Sequence, residues 1–250
     1  MESYATAAQV YAAGLVFARI GAMVMLVPGL GDASVSPRIR LSFALLVALL
    51  MAPLVAPSVP VPSAISGAAG AVIREVLIGL MMGAIMRLFF TALATTGEVV
   101  STQTTLGFAQ TVNPSQAQPN ATLSTFLTLM GTVLLMTTNL HHLFFAAMFN
   151  SYNLFPFGGT VPVADAATLA VQTVAGSFAL GIQLAAPVIV FSIVFNLAAG
   201  LVGRVMPQFQ IFFVATPLSV ILGLSIFALS LGTIGMIWTG RYRDLLEVFA

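Results

Sequence analysis

The sequence predicts an all-α, polytopic membrane-type protein of about six long, partly kinked hydrophobic helices arranged as hairpins. Three observations carry this expectation. Asp, Glu, Lys and Arg make up 6% of the 250 residues against 59% apolar residues, whereas a soluble domain carries roughly a quarter charged residues. The mean hydropathy is +1.07, so the chain lacks the polar surface that water demands. The apolar runs, among them Leu41–Val55, Leu123–Met136, Val188–Val202 and Ile211–Trp238, outlast the roughly ten-residue strand of a membrane barrel and show no period of two. In hydrocarbon every unpaired backbone group is costly, which favours helices.

The first segment runs from about Ala8 to Pro28 and carries Arg19 within it, after an N-terminus whose one charge is Glu2. A cleavable leader has a basic start and an uninterrupted apolar core, so a retained helix is expected here. The connector Gly31–Arg40 holds Arg38 and Arg40, and the positive-inside rule turns it to the cytoplasm. Pro53, Pro57, Pro60 and Pro62 crowd the next, uncharged connector, as in an outer turn that no helix can run through. The third segment, about Ile65 to Thr96, contains Arg74-Glu75, Gly79, Gly83 and Arg87, with Glu98 just beyond. Glycines four apart allow two helices to approach closely.

From Gly97 to Ala121 the chain turns polar and almost uncharged. Irregular polar backbone beside apolar spans survives only in water, in a pore, or buried against protein. The stretch is therefore a candidate functional element, weighed against an ordinary solvated loop. Three further segments follow, separated by Phe155–Gly159 and by Gly203–Gln208. The fifth, about Ala166 to Leu201, is too long for one straight crossing and holds Pro187. Six alternating spans from an outside N-terminus put Arg204 inside but Arg241 and Arg243 outside, against the charge rule.

Several function classes are disfavoured by what the chain lacks. Without cysteine it has no disulfide, thiolate metal site or thiol nucleophile. A net charge of +1 with scattered cations speaks against nucleic acid. All eight cations are Arg, which suits planar hydrogen bonding at low dielectric, although GC-rich coding produces the same bias. His141-His142 is the sole histidine pair; adjacent helical residues diverge by about 100 degrees, so a polar helix tip is a better reading than a metal site. No phosphate loop or catalytic constellation is visible, so neither enzyme activity nor a cofactor is expected. Arg19, Arg74, Glu75, Arg87 and Glu98 stand apart, because ionisable groups at membrane depth pair or face a wet cavity. With both signs present, registering neighbouring subunits is favoured over coupling ions to a solute.

Taken together, the segments resemble the FliR/SctT family, the export-gate component of flagellar and virulence-type type III secretion. The resemblance begins at Phe17-Ala18-Arg19-Ile20-Gly21 and passes through Pro28-Gly29, Pro37-Arg38-Ile39-Arg40-Leu41 and Arg74–Leu80. It continues through Gly107-Phe108, Asn113-Pro114, the His141-His142 block and, most specifically, Asn196–Phe212. Asn113 and Gln210 depart mildly from the family pattern, where Asp and Asn are usual.

The resemblance implies a subunit that joins FliP- and FliQ-like proteins in a closed helical pore, with FlhB-like and FlhA-like export proteins nearby and unfolded secreted proteins as cargo. It implies a FliP-like part over 1–165, a FliQ-like hairpin over 166–250, and an entrance turn at Arg204, Pro207 and Gln208. It also implies a pore plug at about 107–120, led by Gly107, Phe108, Ala109, Gln110, Thr111, Val112, Asn113, Pro114, Ser115 and Gln116. The implied home is the bacterial inner membrane, within the flagellar basal body. The flagellar system is the expectation, the virulence system its alternative, and a secondary transporter the alternative from another class.

Overall fold

The computed structural model describes residues 7–32, 34–55, 59, 65–106, 122–161, 163–206, 208 and 210–249. Among them are seven α-helices and no strand: α1 (Ala7–Val24), α2 (Pro37–Val55), α3 (Ile65–Gln103), α4 (Thr122–Thr137), α5 (His141–Leu154), α6 (Val163–Val205) and α7 (Ile211–Glu247). The expected helical membrane protein is thus observed, with one helix more than the six anticipated. The extra one arises because the fourth apolar segment stops at Thr137 and restarts at His141. Asn139 between them sits at φ 60, the left-handed region that Asn tolerates better than most side chains.

Local chemistry explains several boundaries. Pro37 opens α2, where its missing N–H is one of the unpaired donors of a helix start. Ser36 precedes it, and its hydroxyl accepts from the Ile39 amide at 3.5 Å. Pro53 lies inside the last turn of α2, so the helix runs slightly past the residue expected to end it. The α1–α2 connector is held from within. Asp32 accepts from the amide of Gly29, itself at φ 86, at 3.1 Å, and the Arg40 guanidinium spans the carbonyls of Asp32 and Val35.

Helices α2, α3, α6 and α7 are each long and apolar enough to cross a membrane, and α4 with α5 add a fifth candidate if they act as one broken span. This is a multi-pass membrane protein. Three of the helices outrun a bilayer: α3, α6 and α7 have 39, 43 and 37 residues, or about 55–65 Å against a hydrocarbon core of about 30 Å. Each must project beyond the hydrocarbon, tilt, or both.

The chain forms two compact units. Unit 1 comprises Met1–Phe89, Met136–Thr173 and Tyr242–Ala250; unit 2 comprises Phe90–Leu135 and Val174–Arg241. In unit 1 the core is built by Leu15, Val16, Ile20 and Met23 of α1, by Ile78, Met82, Ile85 and Met86 of α3, and by Phe144 and Met148 of α5. Tyr242, at the end of α7, stacks on Phe89 at 5.3 Å and donates its hydroxyl to the Met86 carbonyl. Helices α1 and α3 run parallel and almost touch: a Cβ on Gly79 would strike the Arg19 carbonyl, and one on Gly83 would lie 3.0 Å from the Met23 carbonyl. The glycine pair therefore does what its spacing suggests.

In unit 2, Trp238 meets Phe90 edge-on at 4.9 Å. Gly131 leaves room for Leu93, and Gly97 for the backbone of α4 at Ser124. The Thr96 hydroxyl donates to the Gly181 carbonyl at 3.1 Å, tying α3 to α6. Small and hydroxylated residues at the contacts suit a medium in which apolar side chains gain nothing by leaving lipid.

Candidate functional site

The most elaborated polar site lies in unit 1 at Arg19. Along α1 the buried positions are Ala12, Leu15, Val16, Arg19, Ile20, Met23 and Val24, a single stripe at helical spacing. Arg19 therefore points where a hydrophobe should be, into the core. On α3 the matching stripe is Glu75, Ile78, Met82, Ile85 and Met86. Both charged side chains are fully buried, and Arg19 Nε donates to Glu75 Oε2 at 2.6 Å.

The rest of the guanidinium is committed to backbone. Nη1 donates to the Ser151 carbonyl at 2.8 Å, with a longer 3.4 Å contact to the Ser151 hydroxyl, and Nη2 donates to the Phe155 carbonyl at 2.8 Å. These acceptors belong to the last turn of α5 and the residue after it. A helix end leaves carbonyls without partners and carries partial negative charge, so Arg19 acts as a cap supplied from another helix. Its flat face lies over the Tyr152 ring, 4.2 Å from the centroid, with Phe157 at 5.4 Å.

Arg74 extends the cluster. Its Nη2 donates to Glu75 Oε1 at 3.1 Å and its Nη1 to the Gly159 carbonyl at 2.8 Å. Glu75 thus has one oxygen on each arginine, and the segment after α5 is pinned at Phe155 and Gly159. The arrangement joins α1, α3 and α5 by charge-assisted hydrogen bonds at low dielectric, where each is strong and its loss costly. Its one carboxylate is held by the two arginines, and the Ser151 hydroxyl donates to the Met148 carbonyl. Among the described residues no cluster of His, Asp and Glu could hold a metal ion.

Of the five charges singled out from the sequence, Arg19, Arg74 and Glu75 come together. Arg87 does not join them; it is exposed on α3, with a long 3.5 Å contact to the Gly31 carbonyl. Glu98 is exposed further along the same helix. Both lie off the buried face of α3, Arg87 one residue past Met86 and Glu98 one past Gly97, and a step of one residue turns a side chain by about 100 degrees. Arg204 and Gln208 are exposed at the turn between α6 and α7, while Pro207 lies outside the described residues. So does the whole expected plug, 107–120. The rings of His141 and His142 tilt towards each other at 4.4 Å, closer than two diverging side chains suggest.

The main-chain acceptors at Ser151 and Phe155 and the aromatic cover from Tyr152 and Phe157 were not legible in the sequence. They lie more than 130 residues from Arg19, and a carbonyl has no residue type to betray it.

The family model described as bacterial export proteins, family 1, matches residues 10–245. The chain is 64% identical over 250 residues to the flagellar biosynthetic protein FliR of Caulobacter vibrioides, covering 100% of both chains. It is 31% identical to the protein of that name from Escherichia coli, over 93% of this chain and 88% of the other. With the Bacillus subtilis protein of the same name the identity is 23%, over 82% of this chain and 80% of that one. With the whole helical core matched, the chain belongs to the bacterial export proteins, family 1.

Proposed function

We propose that the chain is a structural, pore-forming subunit of the flagellar protein export gate, helping to conduct unfolded flagellar proteins across the inner membrane. The observation that carries this is the end-to-end match, at 64% identity, to a protein named for flagellar biosynthesis. The Arg19–Glu75–Arg74 cluster supports it: its charges are spent on joining helices, which is what a subunit of a fixed assembly needs and a solute-coupling site does not. The long helices α3, α6 and α7 are also suited to a gate that extends beyond the bilayer.

Residues 1–165 act as a FliP-like part and 166–250 as a FliQ-like hairpin within one hetero-oligomeric pore. The segment 107–120 plugs that pore; its Gly, Pro, Ser, Asn and Gln make an uncharged stopper that a passing chain displaces without breaking ion pairs. The turn at Arg204–Gln208 faces the cytoplasmic entrance and FlhB-like and FlhA-like proteins. Arg87 and Glu98, exposed on the isolated chain, serve subunit contacts.

The test is purification of the tagged chain from its own membranes in mild detergent, followed by mass spectrometry of the intact complex and of its peptides. FliP- and FliQ-like proteins from a flagellar locus are the expected companions. A homo-oligomer that binds a small solute would replace this reading with a transporter.

A further inference from the structure

We propose that a groove beside Arg74 on unit 1 receives an acidic side chain carried on an apolar helix of a neighbouring gate subunit. This deepens the export-gate reading and rests on it. The groove has a volume of about 240 Å³ and is lined by Tyr11 and Leu15 of α1, Gly67, Gly70 and Arg74 of α3, and Phe157.

Charge is the first argument. The cluster behind the groove contains two guanidiniums and one carboxylate, so it retains one positive charge without a counter-charge among the groups that bond it. At membrane depth such a charge is costly until an anion reaches it. Arg19 is sealed, with an acceptor on each of its three nitrogens and no exposed surface. Arg74 keeps 17% of its side chain open and lines the groove, so it is where a counter-charge can arrive.

Hydrogen bonding is the second argument. Both terminal nitrogens of Arg74 are engaged, but its Nε is buried with no acceptor. A carboxylate entering beside Tyr11 would offer oxygens to that edge of the fork with a small side-chain shift, removing a buried unpaired donor.

Shape selects the carrier. Gly67, Gly70 and Arg74 follow at i, i+3 and i+7 along α3, the two glycines exposed and Arg74 half-buried, and a Cβ on Gly70 would meet nothing within 4 Å. A helix in lipid can approach such a strip closely and place a side chain over Arg74. Arg74 also lies nine residues into α3, about 14 Å from the helix start.

The experiment uses the full-length tagged chain in its host with Tyr11 replaced by the photoreactive p-benzoylphenylalanine. After irradiation the complex is purified and the crosslinked peptide sequenced. The expected product joins Tyr11's position to one co-purifying gate subunit, at an apolar segment containing an Asp or Glu. Neutralising that residue to Asn or Gln should lower the crosslink yield by about tenfold, as for loss of a desolvated ion pair. Arg74→Gln should do the same, while Arg74→Lys retains the product. The partner-side change keeps the test valid if Arg74→Gln disturbs folding. A product with lipid, with residues 1–6 of the same chain, or with a partner segment free of Asp and Glu overturns the proposal. An intact complex with no crosslink at this position also overturns it and leaves the export-gate reading standing. Recovery of the chain with no gate subunit at all overturns both.

Discussion

Arg19 and Glu75, 56 positions apart in the chain, form a 2.6 Å ion pair with both side chains wholly withdrawn from the surface. Because Arg19 also closes the carbonyl end of α5, the pair couples helix packing to helix termination. Breaking a buried pair from one side leaves a stranded charge, at a cost of about 3–5 kcal/mol, whereas removing both charges is often close to neutral. Arg19→Met and Glu75→Leu should therefore each lower the melting temperature of the purified chain: Glu75→Leu strands the buried Arg19 guanidinium, while Arg19→Met leaves Glu75 to Arg74 alone and takes the side-chain donor from the Phe155 carbonyl. The double variant should recover part of the Glu75→Leu loss but not the loss of the α5 cap. Additive losses in the double variant would contradict the pairing. Yield of the assembled complex should fall before export per assembled complex does.

Gly79 provides a packing test independent of charge. An added methyl would collide with the Arg19 carbonyl and sit 2.8 Å from the Ala22 side chain. Gly79→Ala should cost about 1–3 kcal/mol, the usual range for overpacking. Gly200→Ala is the control: nothing lies within 4 Å of its added methyl, and Ala is the better helix former by about 1 kcal/mol. Thermal unfolding of the two variants in the same detergent decides the matter; equal melting temperatures would remove the close-contact account.

Asn139 tests the break between α4 and α5. At φ 60, Gly should be tolerated or mildly stabilising, while Val should destabilise by about 1–2 kcal/mol because a β-branched side chain is strained there. A Val variant as stable as the parent would mean that the break relaxes easily, and circular dichroism during heating reads this directly.

The proposed plug leads to a conductance prediction. Shortening 107–120 in an otherwise complete complex should make the membrane leaky to small ions, while complex yield stays the same. Unchanged conductance would rule out the plug role.

The paired histidines should prove dispensable. His141 and His142 lie on the first turn of α5, and no Asp, Glu or other His completes a metal site with them among the described residues. Changing both to Gln should leave flagellar export nearly intact; a complete block would restore a proton-transfer role.

The helical membrane class was decided by composition alone, because a chain with so few charges cannot clothe itself for water and must close its backbone hydrogen bonds within each segment. Spacing was enough for the Gly79/Gly83 contact, since a glycine pair on one helical face has the same geometry wherever the helix lies. The sequence also singled out Arg19 and Glu75 as ionisable groups within apolar segments. It could not say that they meet, that Arg74 joins them while Arg87 and Glu98 remain exposed, or that α5 ends where a guanidinium from α1 can cap it. Those outcomes depend on the rotation and depth of helices brought together across as many as 136 residues. Main-chain acceptors and angular positions are properties of packed helices, and only the tertiary structure assigns them.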